Sequence, residues 1–358
     1  MAVRTTLHVD RRSYGTTRLI EEAEPELAPD HVRLTIEQYA LTANNITYAQ
    51  VGDRLAYWDF YPVTADWGNV PAMGYASVTE SNVDGVPVGS RYYGWYPMST
   101  SVDIQAVPTH DGFRDDGPHR RPHATVYRGF TATDRDAMAT TAEDEPRHAL
   151  LRGLFATGFL ADAFFASDDY RGAEQAVVLS ASSKTAIGYA ASATRTGAVR
   201  CVGVTSPGNV DFVRSLGYYD DVVTYDELAD IAVVPSVVID MAGLGSAVAA
   251  VHAHLRDDVR YSMVVGKSHH DSRPAMVEHG PTPEMFFAPG AVAERLAEWG
   301  ADDYQRRLRD GLTTFIADSH TWLTVDERRG PSAAQAAWNE LYAGDVAPSS
   351  GLVASLLA

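Results

Sequence analysis

At 358 residues, the chain is longer than one comfortable hydrophobic core and fits two domains. A formal net charge of −18 at pH 7, with no basic stripe to offset it, excludes electrostatic binding to nucleic acid or an anionic membrane. The single cysteine, Cys201, excludes an internal disulfide framework and opposes a cysteine-based zinc site.

The opening MAVRTTLHVDRRSYG lacks the apolar core of a secretory signal, and no stretch approaches the ~20 uninterrupted apolar residues of a membrane span, so a cytoplasmic location is expected. Residues 1 to about 110 are rich in Val, Thr, Tyr and turn residues. Alternation over His31 to Ile36 and Ala76 to Glu80, with Gly85, Gly89 and Gly94 between brief extended runs, predicts a small barrel-like β unit. Residues 109–122 are polar and broken by Gly and Pro. His119, Arg120, Arg121 and nearby His123 would suit an anion site, but a solvated loop at the domain's edge is the favoured reading.

From Arg147 the apolar spacing turns helical and predicts a buried connecting helix. Ala176 to Leu179 is a short apolar run of the kind that fills a parallel sheet, and Thr185 to Arg195 reads as the helix after it. Between them lie Ser180, Ala181, Ser182, Ser183 and Lys184. A strand that turns directly into a helix places free N–H groups beside the positive helix end, which is a phosphate seat; a tight turn with no ligand is the plainer alternative. Glycines of the GxGxxG kind are absent apart from Gly188, and Ser183-Lys184-Thr185 lacks the glycines a P-loop needs.

Val199 to Val204 supplies a second strand, in which Cys201 reads as a small hydrophobe, and a helix over Val210 to Leu216 closes at Gly217. Asp221 to Thr224, Val237 to Asp240 and Ser262 to Val265 are further strands, so strand and helix alternate as in a doubly wound parallel sheet. Residues 268–290 contain four prolines and read as an irregular connection. Helices over Ala291 to Trp299, Asp303 to Phe315 and Ser332 to Tyr342 follow, with a strand near Trp322 to Val325 and a strand-like or helical end.

In this order the chain resembles the medium-chain dehydrogenase/reductase superfamily, in its zinc-free quinone oxidoreductase and enoyl reductase branch. LAPDHVRLTIEQYALTANNITYAQVG and GVPVGSRYYG are similar to the opening and a glycine turn of its GroES-like domain. AVVLSASSKTAIG stands where the family has its glycine-rich loop, VRCVGVTSPGNVDFVRSLGYYDDVVTYDEL where it has the second and third strands, and SVVIDMAG and YSMVVGK where it has the fourth and fifth. The resemblance implies an α/β fold. A doubly wound (Rossmann) dinucleotide-binding domain would span 146–289, and a GroES-like β-rich substrate domain 1–145 and 290–358. It also implies a homodimer acting on a small molecule. The zinc ligands of the alcohol dehydrogenase branch have no counterpart, so no metal is expected, and the Ser-rich loop marks a divergent branch.

Residues implied for the cofactor are Ser180, Ser182, Ser183, Lys184 and Thr185 in the loop, with Thr205, Ser206, Asn209, Tyr225 and Gly266 at later strand ends. NAD-binding relatives place an acid after the second strand; Thr205 and Ser206 remove its repulsion of a 2′-phosphate and favour NADP, with Asn209 where a lysine is usual. An ammonium at Lys184 opposes the helix end by a few tenths to ~1 kcal/mol unless an anion compensates. With Ser182 and Ser183 it is expected to contact a cofactor phosphate, a solvent-facing side chain that snorkels away from the helix end being the plainer alternative. Tyr225 matches a tyrosine near the adenine end, with a core role as the alternative.

On the substrate side, hydride transfer without zinc needs another group to polarise an oxygen or deliver a proton. Asn44, Tyr48 and Tyr57 lie in the segment that reaches the substrate in the family and Trp58 and Trp67 would supply a flat wall, each with a packing or surface role as the plainer alternative; His269 and His270 follow the fifth strand, where they would meet nicotinamide or substrate unless they are an incidental loop pair. The expected activity is reduction of a carbonyl or enone-type small molecule by NADPH. Two readings stay open beside it: a non-redox step such as elimination, cyclisation or decarboxylation, and a non-catalytic nucleotide-binding protein.

Overall fold

The computed structural model describes residues 2–266 and 275–358. The chain divides into two compact units, Met1–Leu150 with Leu323–Ala358, and Leu151–Trp322.

In the first unit, β1 (Val3–Asp10) and β2 (Thr17–Ala23) pair antiparallel. They are followed by β3 (His31–Leu41), α1 (Ala43–Gln50) and the two-residue β4 (Trp67–Gly68) on β1. Then come β5 (Ala72–Ser81), β6 (Arg91–Tyr96), β7 (Ser101–Pro108), β8 (Gly112–Asp115) and β9 (Gly129–Ala132). Hydrogen bonding passes from β3 through β5, β6, β9, β8 and β7 and returns to β3. Six strands thus close on themselves and hide their edges, as the glycine-punctuated strands predicted. Val32, Leu34 and Ile36 alternate into the core of this ring, while Arg33 between them donates from Nε and one terminal nitrogen to the two Asp103 carboxylate oxygens, at 2.7 and 2.9 Å. Helix α1 falls within the stretch read as strands. Asn45 Oδ1 accepts from the Thr42 N–H at 2.7 Å, a local cap that starts a helix in unpromising composition.

Helix α2 (Glu145–Ala166) spans the boundary between the units. With a mean hydropathy of 1.4 it is the one described helix long and apolar enough to cross a membrane, and 67% of that apolar window is buried within the protein, as in a core helix. The second unit then alternates β10 (Gln175–Leu179), α3 (Lys184–Thr196), β11 (Arg200–Thr205), α4 (Val210–Ser215), β12 (Asp221–Thr224), β13 (Ser236–Asp240), α5 (Gly245–Leu255), β14 (Val259–Val264) and β15 (Glu284–Met285). All six strands are parallel, in the order β12-β11-β10-β13-β14-β15. This is the doubly wound arrangement, whose ligand position is the reversal between β10 and β13, at the C-terminal strand ends. Every residue of β10 and β13 is buried, which explains why both read as uninterrupted apolar runs. The prediction passed over α5 and β15.

Where the chain returns to the first unit differs from expectation. Helices α6 (Ala288–Trp299) and α7 (Ala301–Ser319) belong to the sheet unit, and the return comes at Leu323 rather than near 290. The reason is packing: Phe315 on α7 stacks on Phe155 of α2 at 5.1 Å, and the Tyr218 hydroxyl donates to Asp318 at 2.7 Å. After the return, β16 (Thr324–Arg329), α8 (Pro331–Ala343) and β17 (Ser350–Ser355) extend the barrel sheet through β17 on β3. Trp338 on α8 is fully buried and donates from its indole to the Tyr14 carbonyl at 2.8 Å.

Candidate functional site

Leaving β10, the chain turns through Ser180 in the left-handed conformation (φ 56°), which costs a serine more than a glycine. Two hydrogen bonds hold it there: the Ser180 N–H donates to the Tyr225 phenol oxygen at 3.0 Å, and the two hydroxyls lie 3.3 Å apart. Burial raises the pKa of Tyr225, so the phenol stays neutral, consistent with its accepting this N–H while sharing its own proton. Ser183 caps α3, its Oγ accepting from the Ala186 N–H at 3.3 Å. Lys184 is the first residue of α3 and partly buried, and burial lowers its ammonium to about 8.

Asn209 assembles the remaining hydroxyls. Its side-chain NH2 donates to Ser182 Oγ at 3.2 Å and to Ser206 Oγ at 3.0 Å. Both serine oxygens therefore act as acceptors, leaving their O–H protons for an outside acceptor. Ser206 is exposed and Ser182 half-buried. Thr205 and Thr185 are buried, at 1% and 8% exposure, and the Thr205 carbonyl accepts from the Tyr225 N–H at 3.2 Å. Gly266 follows β14, where a Cβ would lie 2.4 Å from the Met241 carbonyl oxygen, so the site requires glycine for close backbone approach. Asp240 ends β13 beside Leu179 and accepts from the Ala242 and Gly243 N–H groups at 3.1 and 2.9 Å. His269 and His270 lie outside the described residues.

In the barrel unit, Tyr48 on α1 stacks on Tyr57 with ring centroids 4.5 Å apart, and Tyr48 is hydrogen-bonded to the Asn44 side chain. The Tyr57 and Tyr127 hydroxyls meet at 3.1 Å. Trp95 lies 5.6 Å from Tyr48 and 5.2 Å from Tyr127, and Phe60 is 5.4 Å from Tyr57. Burial raises the pKa of Tyr48, Tyr57 and Tyr127, most of all for Tyr57, so each is a neutral hydrogen-bond donor at physiological pH. The predicted three thus gather in one place, but the aromatic wall beside them is Trp95. Trp58 is buried beneath Gly52 and Gly68, and Trp67 stacks under Arg18 at 4.1 Å.

The solvated loop expected over 109–122 is corrected by the structure. Gly112–Asp115 is a barrel strand, and Arg120 is fully buried with its guanidinium 3.9 Å over the Phe60 ring. Arg120 Nε donates to Asp115 Oδ2 at 3.2 Å, and a terminal nitrogen donates to the Tyr127 carbonyl. His123 is half-buried and within hydrogen-bond distance of the Ala56 carbonyl, at 2.9 Å. The solvated reading followed from charge in a Gly- and Pro-rich run; what overrides it is a buried carboxylate partner and an aromatic face. Tyr127 and Arg120 were missed as site residues, and no local spacing signals a partner 70 positions from Tyr57.

Among the described residues, no group of three or more His, Cys, Asp or Glu could hold a metal ion. A family model described as "Protein of unknown function (DUF2855)" matches residues 39–347. No curated protein matches the sequence. Among solved structures, CurA from Vibrio vulnificus in complex with NADPH is similar with a TM-score of 0.62 at 14% identity, covering 99% of each chain. The yhdH oxidoreductase from Salmonella enterica in complex with NADP has a TM-score of 0.58 at 14% identity, covering 98% of this chain and 99% of its own. A putative NADPH:quinone reductase from Bacillus thuringiensis has a TM-score of 0.59 at 12% identity, covering 99% of each chain. At such identities the likeness establishes a shared fold.

Proposed function

Starting from a chain that belongs to the DUF2855 family, of unknown function, we propose a metal-free NADP(H)-dependent oxidoreductase that reduces a carbonyl or enone-type small molecule. The observation that carries this reading is the hydroxyl pair organised by Asn209. Two serine O–H donors held by one carboxamide suit an anionic oxygen and repel nothing, where an NAD-type acid would repel a 2′-phosphate. The fold-level likeness to proteins solved with NADPH and NADP supports the same choice.

In this reading Ser182, Ser206 and Asn209 take the 2′-phosphate, and Lys184 with the capped start of α3 takes pyrophosphate charge. NADPH supplies a hydride when bound. The chain supplies the polarising donor: Tyr57, neutral and already hydrogen-bonded, holds the substrate oxygen and delivers a proton to it, with Tyr48 and Trp95 as apolar walls. Asn44 orients Tyr48. We further read the protein as a cytoplasmic homodimer. Exposed Met285 on edge strand β15 and Phe287 just beyond it support the association, which light scattering measures directly.

Fluorescence titration with NADPH and NADH tests the proposal. Binding of NADPH at least about tenfold tighter than NADH, lost in Asn209→Ala, is the expected outcome, since each hydrogen bond to a charged group contributes about 1.5–3 kcal/mol. A wild type that binds neither nucleotide removes the proposal.

A further inference from the structure

We propose that Tyr127 is a positioning and proton-relay residue for Tyr57, held in place by the buried Asp115–Arg120 pair. The inference rests on the oxidoreductase reading and assigns roles to residues outside the segment that supplies Tyr48 and Tyr57.

A lone tyrosine hydroxyl rotates about its C–O bond, whereas the 3.1 Å contact with the Tyr127 hydroxyl gives the Tyr57 proton a defined direction. Two neutral phenols can share a chain of hydrogen bonds in which one donates to the other and the second donates onward. The Tyr57 ring is buried, so a phenolate left there after proton delivery would be strongly disfavoured. Tyr127 is less buried and resolves this difficulty. As the Tyr57 O–H bond breaks and an O–H bond forms on the substrate oxygen, the Tyr127 O–H proton passes to Tyr57. Water then returns a proton to Tyr127 and leaves hydroxide. NADPH, when bound, would supply the hydride.

For such a relay Tyr127 must not wander, although it sits in the short turn Thr125–Tyr127. Its carbonyl is tied to Arg120, which is itself clamped between Asp115 and the Phe60 ring. The next residue is fixed as well: Arg128 Nε donates to the Asp115 carbonyl at 3.0 Å, and another of its nitrogens to Asp116 at 2.7 Å. Four charged residues, Asp115, Asp116, Arg120 and Arg128, thus surround one turn and hold a single phenol against Tyr57. This arrangement also gives a purpose to a fully buried arginine, whose desolvation would otherwise be a net cost.

The test is Tyr127→Phe, which keeps the ring and removes the hydroxyl. NADPH oxidation is followed with cyclohex-2-enone and 9,10-phenanthrenequinone as probes. We expect kcat to fall about tenfold, as for loss of one hydrogen bond of about 1.4 kcal/mol, with KM for the probe and Kd for NADPH within about twofold. The solvent deuterium effect on kcat should also change. An unchanged kcat, or equal losses in kcat and nucleotide binding, overturns the proposal. A second readout needs no turnover: 13Cζ-tyrosine NMR, with Tyr57 assigned through Tyr57→Phe. In wild-type protein in mixed H2O and D2O, Tyr57 should show resolved isotope-shifted lines from a slowly exchanging hydroxyl, and these should collapse in Tyr127→Phe. A rapidly exchanging Tyr57 hydroxyl in the wild type overturns the pairing. A wild type that binds NADPH, reduces neither probe and still shows the resolved lines counts against the oxidoreductase reading while leaving the coupling standing.

Discussion

Tyr225 reaches the turn after β10 and accepts the Ser180 N–H at 3.0 Å, so a phenol occupies the backbone donor at the head of the loop. A serine with positive φ is thereby made tolerable at a position that glycine fills at no steric cost. Removing the phenol oxygen with Tyr225→Phe leaves that donor without its partner. The expected loss is about 1–3 kcal/mol in folding free energy, measured by urea unfolding. Combining it with Ser180→Gly should recover part of the loss, because glycine relaxes the turn.

Lys184 gives two pH dependences of opposite sense. Burial lowers its folded-state pKa to about 8 from 10.5, so the unfolded chain binds the proton more tightly across that window. Folding stability contributed by this group therefore rises as pH increases from about 8 towards 10.5, and its penalty is fully present below about 8. Under the proposed function, NADPH affinity should instead fall as pH passes 8 and the ammonium loses its charge. Lys184→Met should flatten both slopes; equal slopes in mutant and wild type would separate the lysine from both effects.

Arg120 is the strongest candidate for a single substitution that unfolds the barrel unit. Arg120→Met leaves Asp115 buried at 2% exposure without its cation, and breaking a buried pair on one side costs about 3–5 kcal/mol. Thermal unfolding should show this as a large fall in midpoint. A loss below about 1 kcal/mol would mean that Asp115 finds other donors, such as the Gly117 N–H it already accepts at 2.9 Å.

Gly158 on α2 faces α3, and a Cβ there would lie 2.4 Å from the Tyr189 backbone nitrogen. Alanine has the better helix propensity, yet Gly158→Ala should destabilise by about 1–3 kcal/mol because the helix backbones must separate. The same change should weaken NADPH binding, since α3 carries Ser183 and Lys184 at its start. Calorimetry and nucleotide titration on one preparation would check both.

Much of the sheet unit was legible from the chain alone because its determinants are local. Buried parallel strands must be apolar throughout, so Ala176 to Leu179 and Val237 to Asp240 announced themselves, and the small residues between Leu179 and Thr185 marked the turn. The barrel was legible as alternating short strands. The absence of an acid after Val204 was visible in the letters themselves.

Tertiary structure decided what depends on distant partners. No periodicity in the Gly- and Pro-rich run containing Arg120 marks it as buried, because its stabilisation comes from Asp115 and from the face of Phe60. Nor does any spacing join Tyr57 to Tyr127, or Asn209 to Ser182, since these contacts exist only after the chain has folded. Helices α6 and α7 carry ordinary amphipathic patterns, and packing against Phe155 and Tyr218 determined which core they joined. Composition and period specify which face of an element is apolar; the identity of the surface that covers it follows from three-dimensional packing.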